Sequence, residues 1–338
     1  MKGMKKVRVA LNGFGRIGRT VARILATADD IELVAVNDLH DAPALAHLFK
    51  YDSVHRTFAG DVRLEGKHLR FGTQSPKILN ERNVTDLPWS ELNVDVVLEC
   101  TGTIKTRSEA ESHLKAGARR VILSAPPADD SMKTIVLGVN QQLLDGSETI
   151  LSNASCTTNC AAPMIQLLHE LCGIESCYIT TVHSYTGDQH LQDTPHRDLR
   201  RGRAAALSIV PTTTGAAKAL TRIFPDISDV MGGCGIRVPV PDGSLTDITC
   251  IVKNPASVDE LNQAFREAAG ERYKNILQYT EDPIVSSDII DNPHSCIVDG
   301  LLTSVIGKMV KIVGWYDNEV GYSNRLVELL RFTQELRT

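Results

Sequence analysis

The first 150 positions alternate short apolar runs with amphipathic stretches. "VRVAL" (7–11), "LVAVN" (33–37), "VDVVLEC" (94–100), "RVILS" (120–124) and "TIVLGV" (134–139) are nearly unbroken in aliphatic residues, the pattern of strands buried on both faces. Between the first two, Ile17, Val21, Ile24, Leu25 and Ala28 fall on one stripe of a helix. Ser108 with Glu111 has the spacing of a capping box and predicts a helix leading into "RVILS". This succession predicts an α/β class with a doubly wound parallel sheet of Rossmann type.

After about residue 155 the rhythm changes. "ITTV" (179–182), "GIRVPV" (235–240) and "LTDITCIV" (245–252) read as longer, partly alternating strands, which predicts a mixed or antiparallel sheet faced by helices. One such helix is marked by Ser257 and Glu260 as a capping box, with Leu261, Ala264, Phe265 and Ala268 on one face. Between the first two strands lie about thirty residues, "SYTGDQHLQDTPHRDLRRGRAAALSIVPTTTG", with little regular pattern. Loops of that length inside a domain are usually functional. "SNRLVELLRFTQEL" near the end reads as an amphipathic helix.

A chain of 338 residues with 42% hydrophobic content can bury the cores of two domains. Its 36 basic and 41 acidic residues leave a net charge of -5 with no basic tail, which argues against nucleic acid as a main partner. The start "MKGMKKVRVALNGFG" carries the charges of a signal peptide, but its apolar run stops at Asn12 and Gly13. No apolar segment approaches the roughly 18 residues of a membrane span. The expectation is therefore a cytoplasmic protein without a membrane partner. Eight cysteines in such a chain read as reduced thiols. With neither C-x-x-C nor H-x-x-x-H present, no metal site is expected.

"LNGFGRIGR" places Gly13, Phe14, Gly15, Arg16, Ile17 and Gly18 between a predicted strand and a predicted helix. Such a loop brings backbone amides up to a pyrophosphate at a helix N-terminus. Three glycines could equally serve tight packing alone. Asp38, however, closes the second strand 20 residues after Gly18, where a carboxylate accepts the ribose hydroxyls of a dinucleotide. A helix N-cap is its other, compatible role. A 2'-phosphate would be repelled there, so NAD is expected over NADP.

"SNASCTTNCAAP" sets Cys156 just ahead of the helical pattern "APMIQLLHEL". A thiol becomes nucleophilic when a helix N-terminus or an imidazole lowers its pKa. Pro163 sits most easily in a first helical turn, leaving two readings open: Cys156 precedes the helix, or it opens a helix that bends at the proline. His183 ends "ITTV" and is the candidate base, although buried thiols and surface histidines are common without chemistry. Cys160, at i+4, reads as core. "HRDLRRGR" and "PTTTG" combine guanidinium groups, threonine hydroxyls and a glycine amide, as phosphate oxygens require. Intersubunit ion pairs are the plainer use of some of Arg200, Arg201 and Arg203.

These residues resemble phosphorylating, NAD-dependent glyceraldehyde-3-phosphate dehydrogenases over essentially the whole chain. "NGFGRIGR", "AVNDL", "KYDSVH", "SNASCTTNC", "HSYTGDQ", "HRDLRRGRAAALSIVPTTTGAAKA", "RVPVP" and "WYDNEVGYSNR" occur in that family's order. The resemblance implies an NAD-binding domain of residues 1–155 with 319–338 and a catalytic α+β domain of residues 156–318 with a mixed, mainly antiparallel sheet. It implies that Cys156 is the nucleophile, opening its helix, and that His183 activates it and acts as acid and base. Glyceraldehyde 3-phosphate would be captured as a hemithioacetal, oxidised to a thioester and released by inorganic phosphate. By the same resemblance, Thr186 and Arg237, with Asp188 close by, hold the substrate phosphate. Ser155, Thr157, Arg201, Thr214 and Gly215 hold the attacking phosphate. Asn318, with Tyr322 nearby, orients the nicotinamide. Arg16, Ile17, Arg82 and Ser124 match further cofactor contacts, and Leu39 with Pro195 is the pair of NAD-dependent members. A homotetramer is implied as well.

Three places depart from the family pattern. Ala161 replaces a larger aliphatic residue, Gly243 stands where a β-branched residue is usual, and "SVHRTF" lacks a glycine after His55. The nearest rival, erythrose-4-phosphate dehydrogenase, generally lacks the threonine at the position of Thr186. A binding protein that keeps the fold without activity is disfavoured by intact Cys156, His183 and Asn318.

Overall fold

A computed structural model describes residues 6–336; the first five residues, with Lys2 and Lys5 of the charged start, and the last two lie outside it. The chain divides into two compact units, one of residues 1–135, 142–154 and 323–338, the other of residues 136–141 and 155–322.

The first unit contains β1 (Val7–Asn12), α1 (Arg16–Leu25), β2 (Ile31–Asn37), α2 (Ala42–Lys50), β3 (Val62–Glu65), β4 (His68–Phe71), β5 (Lys77–Leu79), β6 (Val96–Glu99), α3 (Arg107–Lys115), β7 (Arg120–Leu123), β8 (Lys133–Thr134) and β9 (Ile150–Ser152). Its sheet runs β3-β4-β5-β2-β1-β6-β7-β9-β8 and is parallel except at the β3-β4-β5 edge. Val9, Leu11, Val97 and Leu98 are fully buried, because helices on both faces of a parallel sheet leave its central strands no exposed side. The Rossmann arrangement expected from the apolar runs is present.

The second unit contains α4 (Cys156–Cys172), β10 (Ile174–Ser184), β11 (Val210–Thr212), α5 (Gly215–Ile223), β12 (Met231–Val238), β13 (Ser244–Val252), α6 (Val258–Gly270), β14 (Leu277–Thr280), β15 (Cys296–Asp299), β16 (Ser304–Ile306) and β17 (Met309–Tyr316). The sheet order is β11-β12-β10-β13-β17-β15-β14, with β16 on β17. Only β10–β12 and β14–β15 are parallel pairs, so the sheet is mixed and mainly antiparallel. α6 starts at the expected Ser257–Glu260 capping box and buries Leu261 and Phe265. α7 (Val320–Glu335) belongs to the first unit from Ser323 onward. There, fully buried Arg120 donates to Thr333 O (2.6 Å) and Gly146 O (2.8 Å), and Arg331 forks onto Asp30.

Several local expectations are corrected. "TIVLGV" is buried but pairs in the sheet only at Lys133–Thr134. From Val136 it closes a turn in which Val139 N and Asn140 N donate to Val136 O (3.1 Å each), with Gly138 at φ +86°. The capping box of α3 is Thr106–Glu109, not Ser108–Glu111. The earlier register wins because the Glu109 carboxylate also accepts from Lys105 N (2.9 Å). α2 is capped by Asp41, not by Asp38. α1 ends at Leu25 and buries Gly18, Val21, Ala22 and Leu25, leaving Ile17 and Ile24 half-buried and Ala28 outside the helix. No helix among the described residues is long and apolar enough to cross a membrane.

Candidate active site and dinucleotide cleft

At the carboxyl ends of β1, β2 and β6 a cleft of about 510 Å³ is lined by Asn12, Gly13, Gly15, Asn37, Asp38, Arg82, Cys100 and Thr101, among others. Gly13 lies at φ +95°, and a Cβ there would meet Thr101 N at 2.7 Å. A Cβ on Gly18 would strike Gly13 O at 2.2 Å, whereas one on Gly15 would meet nothing within 4 Å. The loop is thus packed tight on two glycines and open at the third. No side chain caps the start of α1 behind Gly15, so its amides are available to an anion.

Asp38 accepts from Phe14 N (2.8 Å) and His40 N (3.1 Å). Burial works against its charge, but these bonds hold its carboxyl below the usual range. Arg16 pairs with Asp52 at 2.5 Å, and Ser124 N donates to Glu99 O (2.9 Å) at the end of the next strand. Ile17 is half-buried in the first turn of α1. These donors and acceptors fit a dinucleotide.

In the second unit, Cys156 is the first residue of α4. Ser155 is its N-cap, its hydroxyl accepting from Thr158 N at 3.1 Å. Pro163 lies inside this 17-residue helix, so the helix opens at the cysteine. The Cys156 Sγ is 3.5 Å from His183 Nε2. His183 reaches that place on the inward face of β10, where Cys177, Ile179, Thr181 and His183 alternate as buried positions.

Parallel pairing sets Arg237 of β12 directly beside His183. Its Nη1 lies 2.8 Å from His183 Nδ1 and donates to Ser184 O at 2.9 Å. Ser184 O is also 2.7 Å from Nδ1. When Nδ1–H donates to that carbonyl, Nε2 turns its lone pair to the sulfur.

Burial pushes the Cys156 thiol up to about 11, against the pull of Arg237 and the amides of the helix start. Burial, reinforced by Arg237, takes His183 down to about 3. The resting groups are thiol and neutral imidazole. Moving the proton from Sγ to Nε2 creates opposite charges in a setting that screens them little, and their attraction offsets part of the burial costs.

Beneath the pair, the Tyr316 hydroxyl bonds to Thr157 Oγ1 and Thr181 Oγ1 (2.8 Å each), and its ring meets His183 edge-on at 5.9 Å. Burial raises the Tyr316 pKa, so it stays a phenol. Asn318 Oδ1 accepts from Ser184 Oγ (2.8 Å) and Ser244 Oγ (2.7 Å), which leaves its amide nitrogen as the outward group. Tyr322, in the same unit, is buried.

Arg201 donates to Asp188 (2.8 Å), Thr212 Oγ1 (2.9 Å) and Thr213 O (3.2 Å), and Thr186 donates to the other Asp188 oxygen. Arg237 also attracts Asp188. Residues that the resemblance splits between two anion pockets therefore converge on one carboxylate. These interactions hold Asp188 below the usual range despite its burial. Thr214 caps α5, and a Cβ on Gly215 would meet nothing within 4 Å. Sequence reasoning missed Tyr316, Ser184, Ser244, Thr212 and Asp198, which accepts from Thr212 Oγ1 at 2.7 Å. "WYDNEVGY" was a signal for Tyr316 only through its neighbours.

Known proteins match the chain over most of its length. Residues 7–107 match the family model of the glyceraldehyde 3-phosphate dehydrogenase NAD binding domain, and residues 155–318 match that of its C-terminal domain. The chain is 52% identical over 331 residues to a glyceraldehyde-3-phosphate dehydrogenase of Mycobacterium avium, covering 96% of this chain and 97% of the relative. It is 51% identical over 325 residues, with the same coverage, to glyceraldehyde-3-phosphate dehydrogenase 1 of Streptomyces avermitilis.

Proposed function

Because the chain belongs to the glyceraldehyde-3-phosphate dehydrogenase family, we propose that it converts glyceraldehyde 3-phosphate, NAD and inorganic phosphate to 1,3-bisphosphoglycerate and NADH. The observation that carries this reading is the 3.5 Å approach of Cys156 Sγ to His183 Nε2 at a helix start, with Arg237 against the far side of the imidazole. Residues 1–155 with 319–338 form the NAD-binding domain and residues 156–318 the catalytic domain.

His183 takes the thiol proton, the Cys156 sulfur adds to the aldehyde carbon, and the protonated His183 returns that proton to the former carbonyl oxygen to give a hemithioacetal. His183 then removes the hydroxyl proton of that adduct as it becomes a thioester. Bound NAD supplies the acceptor for the hydride. Inorganic phosphate cleaves the thioester, and the Cys156 thiolate leaves. Gly13, Phe14, Gly15, Arg16, Ile17 and Gly18 would hold the pyrophosphate end, Asp38 a ribose, Asn318 with Tyr322 the carboxamide end, and Arg82 and Ser124 would make further contacts with the cofactor. Thr186 and Arg237, with Asp188, take the substrate phosphate. Ser155, Thr157, Arg201, Thr214 and Gly215 take the attacking one.

A cytoplasmic homotetramer completes the reading. The assembly is supported by Leu191, Leu199, Leu207 and Ile209, four large apolar side chains that stand 69–85% exposed on the long loop, where a partner subunit would cover them.

The test is NADH formation from glyceraldehyde 3-phosphate and NAD, with and without phosphate, and with NADP and erythrose 4-phosphate as comparators. Fast turnover that needs both phosphate and NAD is expected. Preference for erythrose 4-phosphate, or turnover indifferent to phosphate, would overturn the assignment of the anion pockets.

A further inference from the structure

A buried polar chain runs under the dinucleotide cleft and ends on Glu99, a carboxylate that does not line the cleft itself. Glu99 is 1% exposed at the end of β6. Its Oε1 accepts from Thr101 N (2.8 Å) and from the Thr101 hydroxyl. Its Oε2 accepts from Asn12 Nδ2 (2.6 Å) and faces His113 Nε2 at 3.0 Å. Trp89 Nε1 donates to His113 Nδ1 (3.0 Å), which fixes the neutral tautomer whose Nε2–H donates to Glu99. Four donors thus meet one carboxylate that is itself almost fully buried, and such a group is costly to leave unpaired.

The chain has a direction. With Nδ2 given to Glu99, Asn12 turns Oδ1 to accept from Asn37 Nδ2 (2.8 Å), and Asn37 turns Oδ1 to accept from Glu81 N (2.9 Å). Asn37, Asn12 and Glu99 are cross-strand partners at the ends of β2, β1 and β6, where an open parallel sheet binds its ligand. Asn12, Asn37, Glu81 and Thr101 line the cleft. The Thr101 amide that Glu99 fixes is also the atom against which Gly13 is packed.

We propose that Glu99 is a positioning residue for NAD: through Asn12 and Thr101 it sets the three strand ends and the floor of the glycine loop. The inference rests on NAD occupying this cleft. Glu99→Gln keeps the shape but turns an amide NH2 either onto Thr101 N or onto Asn12 Nδ2 and His113 Nε2, which are donors here. Neither flip of the new amide removes the clash, because reversing Asn12 passes it to Asn37.

The experiment compares wild type with Glu99→Gln in NAD affinity by fluorescence titration, in KM for NAD and kcat at saturating NAD, and in alkylation of Cys156 by iodoacetamide without NAD. The expected result is a rise of about tenfold in the dissociation constant and KM, from one charge-assisted set of hydrogen bonds, with kcat and alkylation nearly unchanged. Trp89→Phe, which frees the His113 tautomer, should raise KM for NAD in the same direction by about threefold, and it decides the matter if Glu99→Gln does not fold. Unchanged NAD affinity, or a fall in kcat with KM kept, overturns the inference. A wild-type protein that does not bind NAD overturns instead the reading on which it rests.

Discussion

Arg237 works on both members of the reactive pair, favouring the thiolate and disfavouring the imidazolium. Its charge lowers the Cys156 thiol and lowers His183. Arg237→Gln should therefore raise the pH at which Cys156 becomes reactive and make the imidazole easier to protonate. The check is the pH profile of inactivation by iodoacetamide, a neutral reagent whose approach does not depend on the guanidinium; a midpoint that stays put would refute the role. His183→Asn removes the base altogether, and kcat should fall by roughly 10²–10⁴, the usual range for general-base loss, with NAD binding intact. At this scale the sequence supplied identities without neighbours. Cys156 and His183 are 27 residues apart and His183 and Arg237 54, and no spacing rule announces a parallel β10–β12 contact reached by way of β11.

Elements were legible wherever one periodicity had no competitor. The β1–α1–β2 unit and the α6 capping box could be read directly because apolar spacing and end signals agreed. The run 134–139 could not, because an apolar string does not say whether its backbone pairs with a strand or with itself, and Gly138 at φ +86° permits the turn. Two departures from the family pattern find their reason in backbone geometry. Gly243 sits at φ +85°, and a Cβ there would meet Ser286 O at 2.4 Å. The β-branched residue usual in relatives cannot enter this backbone, and Gly243→Val should destabilise the protein by at least about 2 kcal/mol, read by denaturant unfolding. Arg56, by contrast, is a non-glycine at φ +63°, in the place where relatives often carry glycine. Arg56→Gly should raise stability by up to about 1 kcal/mol, since strain relieved exceeds chain entropy lost. An unchanged unfolding midpoint would mean that the Arg23 bonds to His55 O and Arg56 O (3.1 Å each) already absorb that strain.

For the whole molecule the long loop carries the argument. It is not a floppy connection: Arg203 pairs with Asp193 (2.8 Å), Thr194 N donates to Gly202 O (2.8 Å), and Ala205 N to His190 O (3.0 Å). That framework holds Leu199 and Leu207 outward, each 85% exposed. Burying a leucine is worth about 1.5–3 kcal/mol, so two copies of such a surface brought together gain a large favourable term that a solitary chain forgoes. The same loop bears Arg201, whose contacts with Asp188 and Thr212 tie it to the groups proposed to bind anions. Association and catalysis should therefore fail together. Leu199→Asp is expected to lower the mass measured by light scattering from that of a tetramer and to reduce kcat at dilute enzyme, with activity recovering as concentration rises. A wild-type protein that is monomeric and fully active when dilute would refute the tetramer and leave the exposed leucines to some other contact. A variant that dissociates yet keeps full kcat would separate assembly from the chemistry of Cys156 and His183.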